Sequence, residues 1–188
     1  MKVWPVPNSY KKSIPRDGEA GSFWEDRGDR FNCGVDIFAP EGSEVVATES
    51  GYIIDKGIFT SPESNSYWDK TYYIILKTNQ KVLVKFAKLA EVFVHTGDYV
   101  DAGQAIGSVS RVINIDAVSF QDPNFIQEMV EKEQTSMLHL ELYKAPVTVV
   151  HPYESGNYFG ERRPESLIDP AFYLNGIVKR MGRSRGRS

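Results

Sequence analysis

Met137-Leu138-His139-Leu140-Glu141-Leu142 alternates without a break. In an extended chain successive side chains point to opposite faces, so Met137, His139 and Glu141 share one face and the three leucines share the other. Such a segment is a β-strand with a core behind its leucines. Its other face carries an imidazole and a carboxylate, the makings of a metal edge, an acid–base pair or a hydrogen-bonded structural pair.

A second segment, Lys81–Leu89, alternates in the same way. Val82, Val84, Phe86 and Lys88 fall on one face, and Lys81, Leu83, Lys85, Ala87 and Leu89 on the other. Lys88 thus ends an apolar stripe. A buried ammonium is costly without a partner, so Lys88 either meets an acid or snorkels out at the strand end. Thr71–Thr78 precedes it across Asn79-Gln80, which predicts a hairpin. Gly34–Ala39, Glu44–Thr48, Tyr52–Gly57 and Ala105–Val109 add short strands punctuated by Pro40, Gly42 and Gly51. One helix is predicted after Asp122-Pro123, with the acid as N-cap, Pro at the first helical position, and Phe125, Ile126, Met129 and Val130 at helical spacing. Asp169-Pro170 opens a shorter helical turn that packs Phe172, Tyr173 and Leu174 inward.

The expected fold class is therefore mainly β: an antiparallel sheet, or a β-sandwich of a duplicated hybrid motif, with one or two short helices. The duplication shows as an echo. Gly42-Ser43-Glu44-Val45 and Gly97-Asp98-Tyr99-Val100 share Gly-x-x-Val, and each is followed by a small-residue turn and another strand.

Composition bounds the rest. The chain has 188 residues, 41% hydrophobic and 25% charged, which suits one globular domain. No apolar run is long enough for a membrane span. The single Cys33 excludes an internal disulfide and a four-cysteine zinc site. Net charge is −3, yet residues 179–188 hold five basic side chains and no acid, leaving −8 on the rest. We read 1–178 as the domain and 179–188 as a basic disordered tail; an acidic body argues against nucleic acid. The opening Met-Lys-Val-Trp-Pro-Val-Pro has no signal-peptide core, which points to the cytoplasm.

Ordered across the chain are Asn32-Cys-Gly34-Val-Asp36-Ile-Phe-Ala39-Pro40-Glu-Gly42, Phe86-Ala-Lys88-Leu89, Gly97-Asp-Tyr-Val100-Asp-Ala-Gly103-Gln-Ala-Ile106-Gly107, Met137-Leu-His139-Leu-Glu141 and Asp169-Pro170-x-x-Tyr173-Leu174. Together they resemble the lysostaphin-type (LytM-type) zinc metalloendopeptidases, which cut the peptide cross-bridges of bacterial peptidoglycan, and the resemblance runs from about Trp4 to Leu174. It implies a periplasmic or cell-envelope setting, with the leader removed. It also implies that zinc ligands belong at positions 32, 36 and 139, and water-activating histidines at 88 and 137.

Only Asp36 and His139 keep the family's residue; Asn32, Lys88 and Met137 replace histidines. An amide oxygen is a poor zinc ligand, Met137 moves no proton, and Lys88 adds positive charge where a cation would sit. We expect a degenerate metal site (Asn32, Asp36, His139), vestigial catalytic positions (Lys88, Met137), no cofactor, and Lys88 neutralising Asp36. The expected function is binding, of a peptide, a peptidoglycan fragment or a regulatory protein partner, in a cleft with Glu141, Tyr73 and Tyr143; Tyr72 and Trp68 are further aromatics for its walls or for the core. One alternative is an active zinc endopeptidase with a rearranged site that recruits His151, Glu141 or Cys33. Another is a biotinyl- or lipoyl-like carrier, whose barrels share the Gly97–Gly107 pattern and need a lysine at an exposed hairpin tip. His95 is expected to be exposed in its turn, and Arg27-Gly28-Asp29, an adhesion-like tripeptide, is read as coincidence.

Overall fold

The computed structural model describes residues 2–145, 153–154 and 156–185. The strands are β1 (Phe31–Asn32), β2 (Val35–Phe38), β3 (Glu44–Val46), β4 (Gly51–Thr60), β5 (Thr71–Thr78), β6 (Val82–Val92), β7 (Tyr99–Val100), β8 (Ala105–Val109), β9 (Met137–Lys144), β10 (Tyr153–Glu154), β11 (Asn157–Tyr158) and β12 (Leu167–Ile168). Two α-helices, α1 (Asn124–Glu131) and α2 (Pro170–Arg185), complete the chain with a short 3-10 turn at Ile115–Ala117. The fold is mainly antiparallel β. A nine-stranded sheet runs β12-β9-β6-β5-β4-β7, with β2 on β9 and the β3–β8 pair joined to β6; β1, β11 and β10 form a small second sheet.

The leucine face of β9 and the Val84–Phe86 face of β6 are one surface, because Leu140 pairs with Phe86 and Leu142 with Val84. This surface anchors the main core, where Phe86, Leu138 and Leu140 are fully buried with Val35, Ile74 and Leu76. A second, smaller core sets Ile126 of α1 against Tyr67, Trp68, Val112, Ile113 and Met137. Trp68 is therefore core.

The sequence echo has a structural counterpart. β3 of the first copy pairs with β8 of the second, and β7 of the second pairs with β4 of the first. Strands of the two copies are thus paired with each other. Gly42 and Gly97 take φ of 77° and 98°, the left-handed turn that glycine makes without strain.

Several local expectations change. The hairpin connection is Asn79-Gln80-Lys81, one residue longer, with Lys81 in the left-handed region at φ 62°. Pro123 is the N-cap of α1, while Asp122 accepts from the Ser119 amide instead. Tyr173 and Leu174 do pack inward, but Phe172 is 85% exposed, because consecutive helical positions turn by about 100° and three in a row cannot share one face. α2 continues to Arg185, so residues 179–185 extend a helix whose inner side is pinned by Leu174 and Ile177, in place of the expected disordered tail. Residues 186–188 lie outside the described residues. Among the described residues no helix is long and apolar enough to cross a membrane.

Candidate functional site

The polar face of β9 forms the site. Asp36 on β2 pairs with His139, and on the other edge of β9 Ala87 pairs with His139 and Lys85 with Glu141. Paired antiparallel residues point the same way, so Asp36, His139, Glu141 and Lys85 converge by register alone.

Lys88 arrives differently. Strict alternation puts it on the leucine face with Val82, Val84 and Phe86, and the structure overturns that assignment. The β5–β6 register steps from Tyr73–Ala87 to Tyr72–Leu89, so Lys88 is the extra residue of a β-bulge, at φ 62°. The bulge turns its side chain onto the His139 face. A left-handed non-glycine residue costs about 1–2 kcal/mol, here incurred to aim one ammonium.

That ammonium donates to Asp36 Oδ1 at 2.9 Å and lies 3.2 Å from the Met137 sulfur. His139 Nδ1 meets the same Oδ1 at 2.9 Å, and the Arg27 guanidinium donates to Asp36 Oδ2 at 3.0 Å. Both carboxylate oxygens are thus occupied. Burial alone would raise the Asp36 pKa, but Lys88 first, then His139 and Arg27, outweigh it and hold the carboxyl well below the usual range.

The network continues through the imidazole. His139 Nε2 lies 3.0 Å from Glu141 Oε1, and Glu141 Oε2 accepts from the Tyr143 hydroxyl at 2.5 Å and faces Lys85 at 3.4 Å. Burial pushes Glu141 up, while Lys85, then His139 and Tyr143, bring it down to about 2. The two ring nitrogens of His139 thus face one carboxylate oxygen each, so the imidazole bridges Asp36 and Glu141. The Lys85 ammonium also sits over the rings of Phe59 and Tyr73, at 4.8 and 5.2 Å.

None of Asp36, Lys88, Met137, His139 and Glu141 is more than 4% exposed. Two glycines close the face. The Gly21 carbonyl (φ 79°) accepts from the Asp36 amide, and a Cβ on Gly21 would meet Asp36 Cβ at 2.8 Å. Gly156 (φ 84°) lies over the imidazole, where a Cβ would come within 2.8 Å of His139 Nε2, and Phe59 stacks on the same ring.

The expected cleft is therefore not where the sequence put it. Glu141 and Tyr143 are buried; of the three, Tyr73 alone is partly open, its hydroxyl bonded to Asp55 and its pKa raised to about 12, chiefly by desolvation. Tyr72 lines a separate surface groove with Lys56, Gly57, Ile58 and Val92. An open cleft of about 470 Å³ lies instead between Tyr10–Ala20 and Lys132–Gln134, with Asp36, Ile37 and Phe38 along it.

Asn32 does not join the cluster through a hydrogen bond. Its side-chain amide donates to the carbonyls of Ser22 and Gly34, and its own oxygen is buried without a partner. Zinc does not fit this arrangement. Both Asp36 oxygens are engaged, both His139 nitrogens face carboxylates, and Asn32 is an amide engaged with the backbone. Among the described residues no group of three His, Cys, Asp or Glu is placed to hold a metal. Cys33 offers no substitute, since burial first and Glu141 second push its thiol well above the ordinary value. His151 lies outside the described residues. Lys88, buried within a strand, is not the exposed hairpin-tip lysine a carrier needs.

Sequence reasoning missed Arg27, set aside within a coincidental tripeptide. Its side chain is nearly buried and also bonds Glu25 and Asn157, with Phe125 under its guanidinium at 4.9 Å. Only the excess of acids around it, Glu25, Asp26 and Asp29, hinted at pairing.

Residues 30–149 match the model of peptidase family M23. Among solved structures, the chain is similar to the catalytic domain of the antimicrobial peptidase lysostaphin from Staphylococcus simulans, at 22% identity and TM-score 0.51, covering 84% of this chain and 90% of that one. It is similar to a chain of the SpoIIQ–SpoIIIAH pore-forming complex, at 14% identity and TM-score 0.53, covering 96% and 95%. A third is a glycyl-glycine endopeptidase lytM from Ruminococcus gnavus, so described with reservation in its name as a candidate, at 18% identity and TM-score 0.53, covering 95% of this chain and 61% of that one. No curated protein matches the sequence directly.

Proposed function

This chain belongs to peptidase family M23, and on that premise we propose that it is a catalytically silent member that keeps the fold as a binding domain for a protein partner. The observation that carries this reading is Asp36. Its two oxygens are taken by Lys88, His139 and Arg27, at a position where the family resemblance calls for a zinc ligand. Without the metal no hydroxide is generated there, and Met137 supplies no base. No step of hydrolysis can be assigned to the side chains described around Asp36 and His139.

A protein partner is favoured over a peptide laid along the polar face of β9. That face is closed by Gly21, Gly156 and Phe59, and extended-peptide recognition needs an open edge or groove. A chain of the SpoIIQ–SpoIIIAH complex has a comparable fold, which supports assembly as one use of this architecture. The cleft between Tyr10–Ala20 and Lys132–Gln134 is a concave surface that stays open.

The test is metal content and turnover together. Protein purified without added zinc should carry no stoichiometric metal, and a glycine cross-bridge peptide incubated with protein and added zinc should remain intact. Tight one-to-one zinc with cleavage overturns the reading in favour of an active endopeptidase.

A further inference from the structure

We infer that Arg27 and Lys88 together stand in for the divalent cation of the family's site, delivering its two positive charges to Asp36 from two separate parts of the chain. This rests on the silent-member reading above and adds what holds the site together in place of metal. The two cations divide the carboxylate between them, Lys88 on Oδ1 and Arg27 on Oδ2. A zinc ion would need one of those oxygens and one of the His139 nitrogens, and each of them already faces a partner within the cluster. Lys88 is placed by a strained bulge, and Arg27 by a loop outside every family motif.

The guanidinium does a second task that a metal could not. Arg27 bonds Glu25 Oε2 at 3.0 Å, the same oxygen accepts from the Gly21 amide at 3.0 Å, and the Gly21 carbonyl returns to the Asp36 amide at 2.8 Å. The segment that closes over Asp36 is thereby tied to the cation that neutralises it. Substituting charge and shutting the site are one arrangement.

Thermal melting of the whole chain tests this. Lys88→Met and Arg27→Met each leave a buried charge short of its partner, and Lys88→Met should lower Tm by about 10 °C. Adding Asp36→Asn to Lys88→Met should recover at least half of that loss, because the orphaned charge is then removed. Zinc or a chelator should leave wild-type Tm unchanged, whereas zinc should raise the Tm of Arg27→Met/Lys88→His, where the carboxylate is released and an imidazole added. A wild-type Tm that falls on chelation overturns the inference, as does a Lys88→Met protein that melts normally, or one that Asp36→Asn fails to rescue. The wild-type zinc and chelator arms decide the matter even if a variant does not fold. Dispensable cations in a protein that still cleaves nothing would sink this inference and leave the functional reading standing; cleavage with bound zinc would sink both.

Discussion

The two faces of β9 are equally buried and are held by different physics. On one, Leu138, Leu140 and Leu142 pack into the main core, and any well-shaped apolar neighbour will do. On the other, His139 and Glu141 sit among Asp36, Lys88, Lys85, Arg27 and Tyr143, where each charge requires a named counterpart at hydrogen-bond distance. The comparison teaches that burial is not one condition. An apolar face is stabilised by area removed from water, whereas an ionic face is stable only while it is complete.

The largest blow should come from breaking the ionic face at its hub. Asp36→Ala leaves Arg27, Lys88 and His139 with no shared carboxylate and should cost about 3–5 kcal/mol in urea unfolding. A smaller loss would show that water enters and solvates the cations. Leu140→Ala tests the opposite face; a fully buried leucine should cost about 2–5 kcal/mol, with little dependence on pH.

Acid separates the faces next. Glu141 and Asp36 have folded pKa values below their unfolded ones, so the stability they contribute is present above the ordinary carboxylate range and lost as pH falls through the folded values. For Glu141 the window runs from the ordinary value of 4.5 down to about 2. Wild-type Tm should fall across that window. Glu141→Gln, which takes up no proton there, should start lower and fall less; parallel curves for the two proteins would contradict the assignment. The smallest effect concerns two lysines with the same backbone. Lys81 and Lys88 both have φ 62°, but Lys81 is exposed in a turn. Lys81→Gly should relieve strain and stabilise by up to about 1 kcal/mol, read as a small rise in Tm, whereas Lys88→Gly should destabilise because the ammonium is lost with the strain.

Much of this was legible along the chain. Alternation over Met137–Leu142 gave β9 and the sidedness of His139 and Glu141, and the ordered motifs gave the family and the position of Asp36. That Lys88 either meets an acid or snorkels out was legible from the cost of a buried ammonium, and the family resemblance named Asp36 as the acid, although periodicity placed Lys88 on the wrong face. A bulge at a lysine has no local signature, since left-handed backbone is announced by glycine or asparagine. Arg27 was hidden because its loop has no periodicity. The closure of the face was hidden because Phe59 and Gly156 reach the His139 ring from distant parts of the sequence.

By itself, then, the sequence determined the mainly antiparallel β class and the family, because periodicity and residue type are local properties. Only the tertiary structure decided that the polar face is shut, that Asp36 is held by two cations instead of one, and that the open concavity lies elsewhere. Those outcomes depend on which remote segments meet at one carboxylate, and the strength of a buried charge is set by its neighbours in space rather than by its neighbours in the chain.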